Sequence, residues 1–243
     1  MEKVIAALWA PEGENREAYG ARILASLPQA LHAGGAQHIR LNVRDEKVAT
    51  AEQLTQRWQA PQQAAVAQFW MPSSNRRFRG AVDAALASHS ARFAAWLVCE
   101  STIIASEASP ASASPASARP GRNAGWAQAS FISFRPDITR EAAIGHWHSH
   151  HTRVAIETQA NFEYIQNLIV KPLTDDAPAY DAFVEECFAI EAMTDPSAFF
   201  DAAGDAEKLA ANQTAMMDSC AGFIDFARID IIPTSQFDFH HPS

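Results

Sequence analysis

Apolar residues alternate with polar ones, or run together, in four stretches of the second half of the chain. This pattern predicts strands at 126–134, 162–170, 183–193 and 221–232. We expect a helix after the first strand and, after an N-cap at Asp195, a helical region interrupted near Gly204. We expect Pro233 to end the fourth strand. The predicted order, βαββαβ, is typical of a ferredoxin-like unit.

The first half repeats this order with a weaker pattern. Helices are predicted at 15–33 and 75–89, and Gly34 is a suitable C-cap for the first of them. Strands are predicted at 3–9, 37–43, 63–71 and 92–104. The segment 45–60, between the second and third strands, receives no assignment. An internal duplication with an offset of about 124 residues explains both halves.

A segment of different composition separates the halves. Residues 106–125 read SEASPASASPASARPGRNAG, without an apolar period, which predicts a semi-extended linker. We therefore expect one unit at 1–105 and a second at 126–243, the latter ending in a flexible tail. The bare face of a ferredoxin-like sheet must be buried, and two such sheets can bury each other. The predicted fold class is α+β, with two ferredoxin-like βαββαβ units packed sheet to sheet as a fused, pseudo-dimeric α/β barrel.

Charge and composition narrow the class of protein. The net charge of -9 disfavours a nucleic-acid partner, because an acidic surface repels phosphate backbones. A membrane partner is not expected either, since no apolar run reaches the ~18 residues that a spanning helix needs. The first residues, MEKVIAALWAPEGE, lack the basic region of a signal peptide and reach proline and acidic residues too soon for one. Three widely spaced cysteines are typical of reduced thiols, which predicts a cytoplasmic protein.

The most unusual local sequence is GHWHSHH at 145–151. On a helical wheel, Trp147 and His151 lie on the face that should meet the sheet, whereas His146 points to solvent. Three interpretations of His151 remain open: a core histidine bonded to a neighbour, a general acid or base facing a pocket, and a metal ligand. The pattern H-E-x-x-H is missing, so we do not expect a metal site.

The ordered set of segments FRPDITREAAIGHWHSHHTRVA, FEYIQN and YDAFVEECF resembles the EthD family of dimeric α/β-barrel proteins. The matching positions lie on the first helix and the second and third strands: Trp147, His151, Tyr164, Gln166, Asn167, Asp181 and Glu185. Ala182 stands where the family pattern usually has glycine. The resemblance covers about residues 128–235 and implies a barrel with a pocket between helix and sheet. The first half resembles the family in element order alone.

The resemblance and the helical pattern together assign roles to individual residues. His151 is the candidate general acid or base, because the pKa of histidine lies near working pH. Tyr164 could polarise a substrate oxygen or fill space, and Glu185 could orient His151 or be a solvated edge charge. The remaining candidate substrate contacts are Trp147, His148, Phe162 and Gln166.

These residues lead to one main functional hypothesis. It is a cofactor-independent enzyme of the lyase, cyclase or isomerase type that acts on a small hydrophobic or aromatic metabolite. No cofactor is expected, because the phosphate-binding and dinucleotide-binding glycine patterns are missing from the sequence. The alternatives are a non-catalytic small-molecule-binding or accessory barrel protein and a haem-binding barrel protein. We expect a monomer with an internal pseudo-dimer, or a homodimer.

Overall fold

Eight strands pair in antiparallel fashion and close into a barrel. The computed structural model describes residues 1–106 and 121–239, so most of the predicted linker and the end of the predicted tail lie outside it. The strands are β1 (Glu2–Trp9), β2 (Gln37–Val43), β3 (Ala65–Met71), β4 (Arg92–Ile104), β5 (Trp126–Phe134), β6 (Glu163–Pro172), β7 (Ala182–Phe188) and β8 (Ile224–Phe239). Around the barrel their order is β1-β3-β2-β8-β5-β7-β6-β4, and β4 pairs again with β1.

Helices connect the strands. They are α1 (Arg16–Ala33), α2 (Arg76–His89), α3 (Arg140–His146), α4 (Thr152–Thr158), α5 (Pro196–Phe199) and α6 (Ala206–Ala221). The side chains of Asn15, Asn75 and Thr139 accept hydrogen bonds from backbone N–H groups of the first turns of α1, α2 and α3. Among the described residues, no helix is both long enough and apolar enough to cross a membrane.

The strand order is the same in the two halves of the barrel. Four strands run in the order β4-β1-β3-β2, and the other four run β8-β5-β7-β6. Two antiparallel seams join them, β2 with β8 and β4 with β6. The barrel therefore needs strands from both halves of the chain.

Three predictions about elements need correction or completion. The third strand of the second half ends at Phe188, and Ile190–Met193 forms a 3₁₀ turn. Pro233 does not end the fourth strand, because β8 pairs with β5 as far as Thr234 and with β2 from Ser235 onward. One long strand thus closes the seam between the halves. The unassigned segment contains a 3₁₀ helix, Glu46–Leu54.

Each strand of the barrel has one face under the helices and one face toward the interior. In β1, Val4 and Leu8 belong to the layer beneath α1 and α2, whereas Ile5 and Trp9 belong to the interior. Both faces are buried, which is why β1 is a nearly continuous apolar run. Aromatic side chains fill one end of the interior, and charged and amide side chains occupy the other.

Candidate functional site

The histidine run lies in a helix that changes its winding. Thr139 caps α3, and after His146 the chain makes one π-helical turn, Trp147–His151, before α4 continues. The carbonyl of Trp147 accepts from the backbone N–H of Thr152 and, at 2.9 Å, from its hydroxyl. Single π turns inside α-helices are rare and are found frequently at functional sites. His151 is the last residue of this turn.

His151 is buried between the helix and α6. It is 8% exposed, and its Nδ1 lies 3.0 Å from the Ser219 hydroxyl oxygen. Its ring packs on Phe223, with 4.9 Å between the centroids. Nε2 makes no hydrogen bond to any described residue. The inward position agrees with the helical wheel, whereas the partner Ser219 had no signal in the sequence because it lies on another helix.

Burial, together with smaller effects of the neighbouring His146 and His150, lowers the pKa of His151 to about 4. The imidazole is therefore neutral at pH 7, with one ring nitrogen bonded and one available. His146 does not point to solvent as expected. It is half-buried, and its Nε2 donates to the carbonyl of Ser219 at 2.9 Å.

Tyr164 lies on the helix-side face of β6, in the same apolar cluster as Trp147. Its hydroxyl accepts from Gln166 Nε2 at 2.7 Å, and the same amide donates to the Thr152 hydroxyl at 2.8 Å. Gln166 thus ties the strand to the residue that follows His151. Burial raises the pKa of Tyr164, so the phenol stays protonated and can donate a hydrogen bond.

Glu185 does not orient His151, and that expectation was wrong. It is fully buried in the barrel interior, where it accepts from Arg40 at 2.8 Å and from Gln68 at 3.0 Å. Although burial acts in the opposite direction, Arg40 and three amide side chains hold the pKa of Glu185 well below its usual range. Side chains alternate between the two faces of a strand, so the residues next to Glu185 in β7 face the helices and Glu185 faces the interior.

The carboxyl group on the helix-side face is Glu186, which the sequence reasoning missed. It lies opposite Tyr164 in the strand register. It accepts from Asn161 at 3.2 Å and Gln128 at 3.3 Å, and burial raises its pKa to about 7 despite these bonds. A buried carboxyl group with a pKa near 7 can both give and take a proton at neutral pH.

The other predicted substrate contacts are scattered. Trp147 is fully buried and stacks on Phe223 at 6.2 Å between ring centroids. His148 is exposed beside Trp147. Phe162 is half-buried and lies near Gly125, at the start of β5. The structure therefore brings His151, Trp147, Tyr164 and Gln166 into one region, and leaves Phe162 and Glu185 outside it.

A cavity of about 200 Å³ lies at the polar end of the barrel interior. It is lined by strand residues of both halves, including Lys3, Arg40 and Asp238, and His151 is not among them. The residues around His151 do not fit a haem, because an axial ligand needs an open face and this ring is packed between Phe223 and Ser219. Among the described residues, no group of three or more His, Cys, Asp or Glu is placed to hold a metal ion.

The part of the chain that holds this site matches a known protein family. Residues 135–227 match the EthD domain. This EthD region contains the π turn, β6, β7 and all of α6, and therefore His151, Tyr164 and Glu186. No curated protein matches the sequence.

Several solved structures share the architecture. An anthrone oxidase-like protein superposes with a TM-score of 0.53 at 7% identity, over 98% of this chain and 92% of the other. A candidate chlorite dismutase gives 0.44 at 10% identity, over 97% and 95% of the two chains. A candidate monooxygenase from Lactobacillus acidophilus NCFM gives 0.45 at 10% identity, over 99% of each. At 7% identity, the similarity to the anthrone oxidase-like protein shows the fold alone.

Proposed function

We propose that the protein is a cofactor-independent enzyme of the lyase, cyclase or isomerase type, acting on a small hydrophobic or aromatic metabolite. The supporting observation is His151 in the π turn: a buried, neutral imidazole with Nδ1 bonded and Nε2 available. His151 is the general acid or base of this proposal. Trp147, His148 and Gln166 remain its proposed substrate contacts, whereas Phe162 lies near Gly125, outside the region around His151.

The environment defines the kind of proton that His151 can move. With a pKa of about 4, it is a weak base that returns a proton readily. A base of this strength can remove a proton only from a carbon that is strongly activated. We therefore expect a substrate in which that carbon lies beside both a carbonyl group and an aromatic ring. The protonated Tyr164 donates to the developing oxyanion, and Glu186, opposite it in the sheet, replaces the expected Glu185 as second titratable group.

Anthrone, a tricyclic aromatic ketone with an acidic methylene group, is a suitable probe of this chemistry. Exchange of its methylene protons in D₂O, followed by NMR, measures proton abstraction without knowledge of the natural reaction. We expect the wild type to accelerate exchange over buffer. His151→Ala should remove about 10²–10⁴-fold of that acceleration, the usual contribution of a positioned general base.

The matched control is His150→Ala, an exposed histidine of the same turn, which should retain most of the acceleration. Folding of both variants is checked by circular dichroism and thermal unfolding. Equal rates for the wild type and a folded His151→Ala variant would refute His151 as the base.

A non-catalytic small-molecule binder is the second candidate. It is favoured by the close packing of His151 against Phe223. Saturable quenching of tryptophan fluorescence by anthrone, without faster exchange, would support this candidate instead.

We also propose that the barrel arose from two ferredoxin-like units, 1–105 and 126–243, joined by the linker 106–125 and paired within one chain. The repeated strand order and the two seams support this assembly. A monomer in light scattering would support pairing within one chain, and a domain-swapped or further dimer is the alternative outcome. A cytoplasmic location remains part of the proposal, supported by three cysteines without disulfides.

A further inference from the structure

The cavity at the polar end of the barrel contains a lysine that the proposed function does not use. Lys3 shares the interior face of β1 with Ile5, lines the cavity and is 4% exposed. The other lysines of the chain, Lys47, Lys171 and Lys208, are exposed. Lys3 is therefore shielded from solvent in a way that they are not, and the cavity sets its chemistry.

Apolar side chains form part of the wall around Lys3. Trp70 lies opposite Lys3 in the pairing of β1 with β3, and Ile165 and Phe239 add further apolar surface. Exposed His38 lies at the rim. The volume of about 200 Å³ is small beside the ~300–1,000 Å³ of pockets for drug-sized ligands, so the cavity fits a short molecule with an apolar part.

The charged groups that line the cavity are paired with one another. Lys3 forms an ion pair with Glu100, and the guanidinium of Arg40 lies 2.7 Å from Asp238. Two cations thus face two carboxylates, and the lining carries no net charge. An ionic ligand would be buried there without a free counter-charge, so the cavity favours an uncharged ligand.

The environment of Lys3 favours loss of its proton. Burial is the largest effect and lowers the pKa of Lys3, and Arg40 lowers it further. Glu100 and Glu185 raise this pKa without reversing the shift. Lys3 Nζ donates to Glu100 Oε2, so this carboxylate is placed to take the proton, and its Oε1 is held by the Thr102 hydroxyl at 3.2 Å. A neutral, desolvated lysine amine is a nucleophile toward carbonyl carbons.

We propose that Lys3 captures a short-chain aldehyde in this cavity as an imine, with the alkyl part against Trp70 and Ile165. After Glu100 has taken a proton from the ammonium, the amine attacks the carbonyl carbon. A C–N bond forms, and a proton moves from nitrogen to oxygen to give a carbinolamine. Glu100 then protonates the hydroxyl, which leaves as water while the nitrogen lone pair forms the C=N bond. The net change converts ammonium and aldehyde into iminium and water, without an oxidant or reductant, and keeps the positive charge beside Glu100.

Propanal is the test ligand, and sodium cyanoborohydride reduces its imine with the full chain to a stable propylamine adduct. Digestion with chymotrypsin and mass spectrometry give the rate of labelling at each lysine, and fragmentation of the first peptide separates Lys3 from the amino group of Met1. We expect Lys3 to react at least about tenfold faster than the three exposed lysines, the ratio in neutral amine that a pKa difference of one unit gives. Labelling of Lys3 no faster than that of the exposed lysines would overturn the proposal.

Variants test the location. Ile165→Trp fills the cavity and should slow labelling of Lys3 to the rate of the exposed lysines or below, whereas Ile156→Trp, the same change at an exposed site on α4, should leave it unaltered. Lys3→Arg keeps a cation beside Glu100 but forms no imine, so the fast adduct should disappear. If Ile165→Trp does not fold, competition decides: propan-1-ol, which forms no imine, should slow labelling of Lys3 saturably and leave the exposed lysines unaffected. Fast labelling of Lys3 in folded Ile165→Trp, or without competition by propan-1-ol, would contradict a site in this cavity.

Discussion

Two adjacent glutamates of β7 have opposite environments. Glu185 faces the barrel interior and bonds with Arg40, so its pKa lies well below the usual range. Glu186 faces the helices and accepts from two amide donors, and no cation among the described residues is bonded to it, so burial raises its pKa to about 7. A shift of one residue moves a side chain to the other face of a sheet, and here it also reverses the direction of the pKa shift.

Replacement of Glu186 by glutamine should change how stability depends on pH. Folding raises this pKa from 4.5 to about 7, so the folded protein holds a proton that the unfolded chain has already released. The protonated Glu186 therefore contributes stability that is fully present below pH 4.5 and is lost as the pH rises to 7. The free energy of unfolding of the wild type falls by about 3 kcal/mol over this window, at ~1.36 kcal/mol per pKa unit. Glu186→Gln removes that decline.

Urea unfolding at pH 5 and pH 8 measures the effect. The stability of Glu186→Gln relative to wild type should increase by up to about 3 kcal/mol between the two values. The exposed change Glu141→Gln should follow the wild type. Parallel pH profiles for Glu186→Gln and wild type would show that this carboxyl group does not titrate near neutrality.

At the scale of elements, the ends of helices and strands follow local rules, but the π turn does not. The side chains of Asn15 and Thr139 cap α1 and α3, and α1 ends at Ala33 as predicted. The turn at Trp147–His151 has no comparable signal, since its residues also fit a regular helix. The start of β5 depends on one glycine, Gly125, which has a φ of +71°.

Gly125→Ala should disturb the start of β5. A Cβ there would lie 2.0 Å from the carbonyl oxygen of Phe188, and the positive φ adds strain. We expect a loss of about 2–4 kcal/mol in the free energy of unfolding. Gly80→Ala is the matched control, because nothing lies within 4 Å of its Cβ in α2 and alanine favours a helix by about 0.5–1 kcal/mol. Thermal unfolding of the two variants should therefore shift in opposite directions, and a stable Gly125→Ala would contradict the contact.

At the scale of the whole molecule, the halves are joined by strand pairing and by interior charges. Arg40 of β2 contacts Glu163, Glu185 and Asp238, which belong to β6, β7 and β8. One guanidinium thus links the first half to three strands of the second. Removal of the Arg40 guanidinium would leave buried carboxylates unpaired, and this cost is the main reason why Arg40 is needed for the stability of the barrel.

Arg40→Met should test this link. It leaves the three carboxylates without their cation, and we expect a loss of about 3–5 kcal/mol in the free energy of unfolding. Arg153→Met breaks an exposed pair with Glu157 on α4 and should cost less than about 1 kcal/mol. Chemical unfolding compares both with wild type. A loss of similar size in the two variants would mean that the interior network adds nothing beyond a surface pair.

The sequence by itself determined the order of elements and the position of several of their ends. β2, β4 and β5 begin and end at the predicted residues, because strand alternation, glycine and capping residues act over a few neighbours. It also placed His151 on the buried side of its helix. The tertiary structure alone decided that β8 continues past Pro233, that Ser219 meets His151, and that Glu186 rather than Glu185 faces the helices. In a closed barrel a strand such as β7 is buried on both faces, so apolar alternation cannot distinguish inside from outside. Partners far apart in sequence are chosen only when the strands pair.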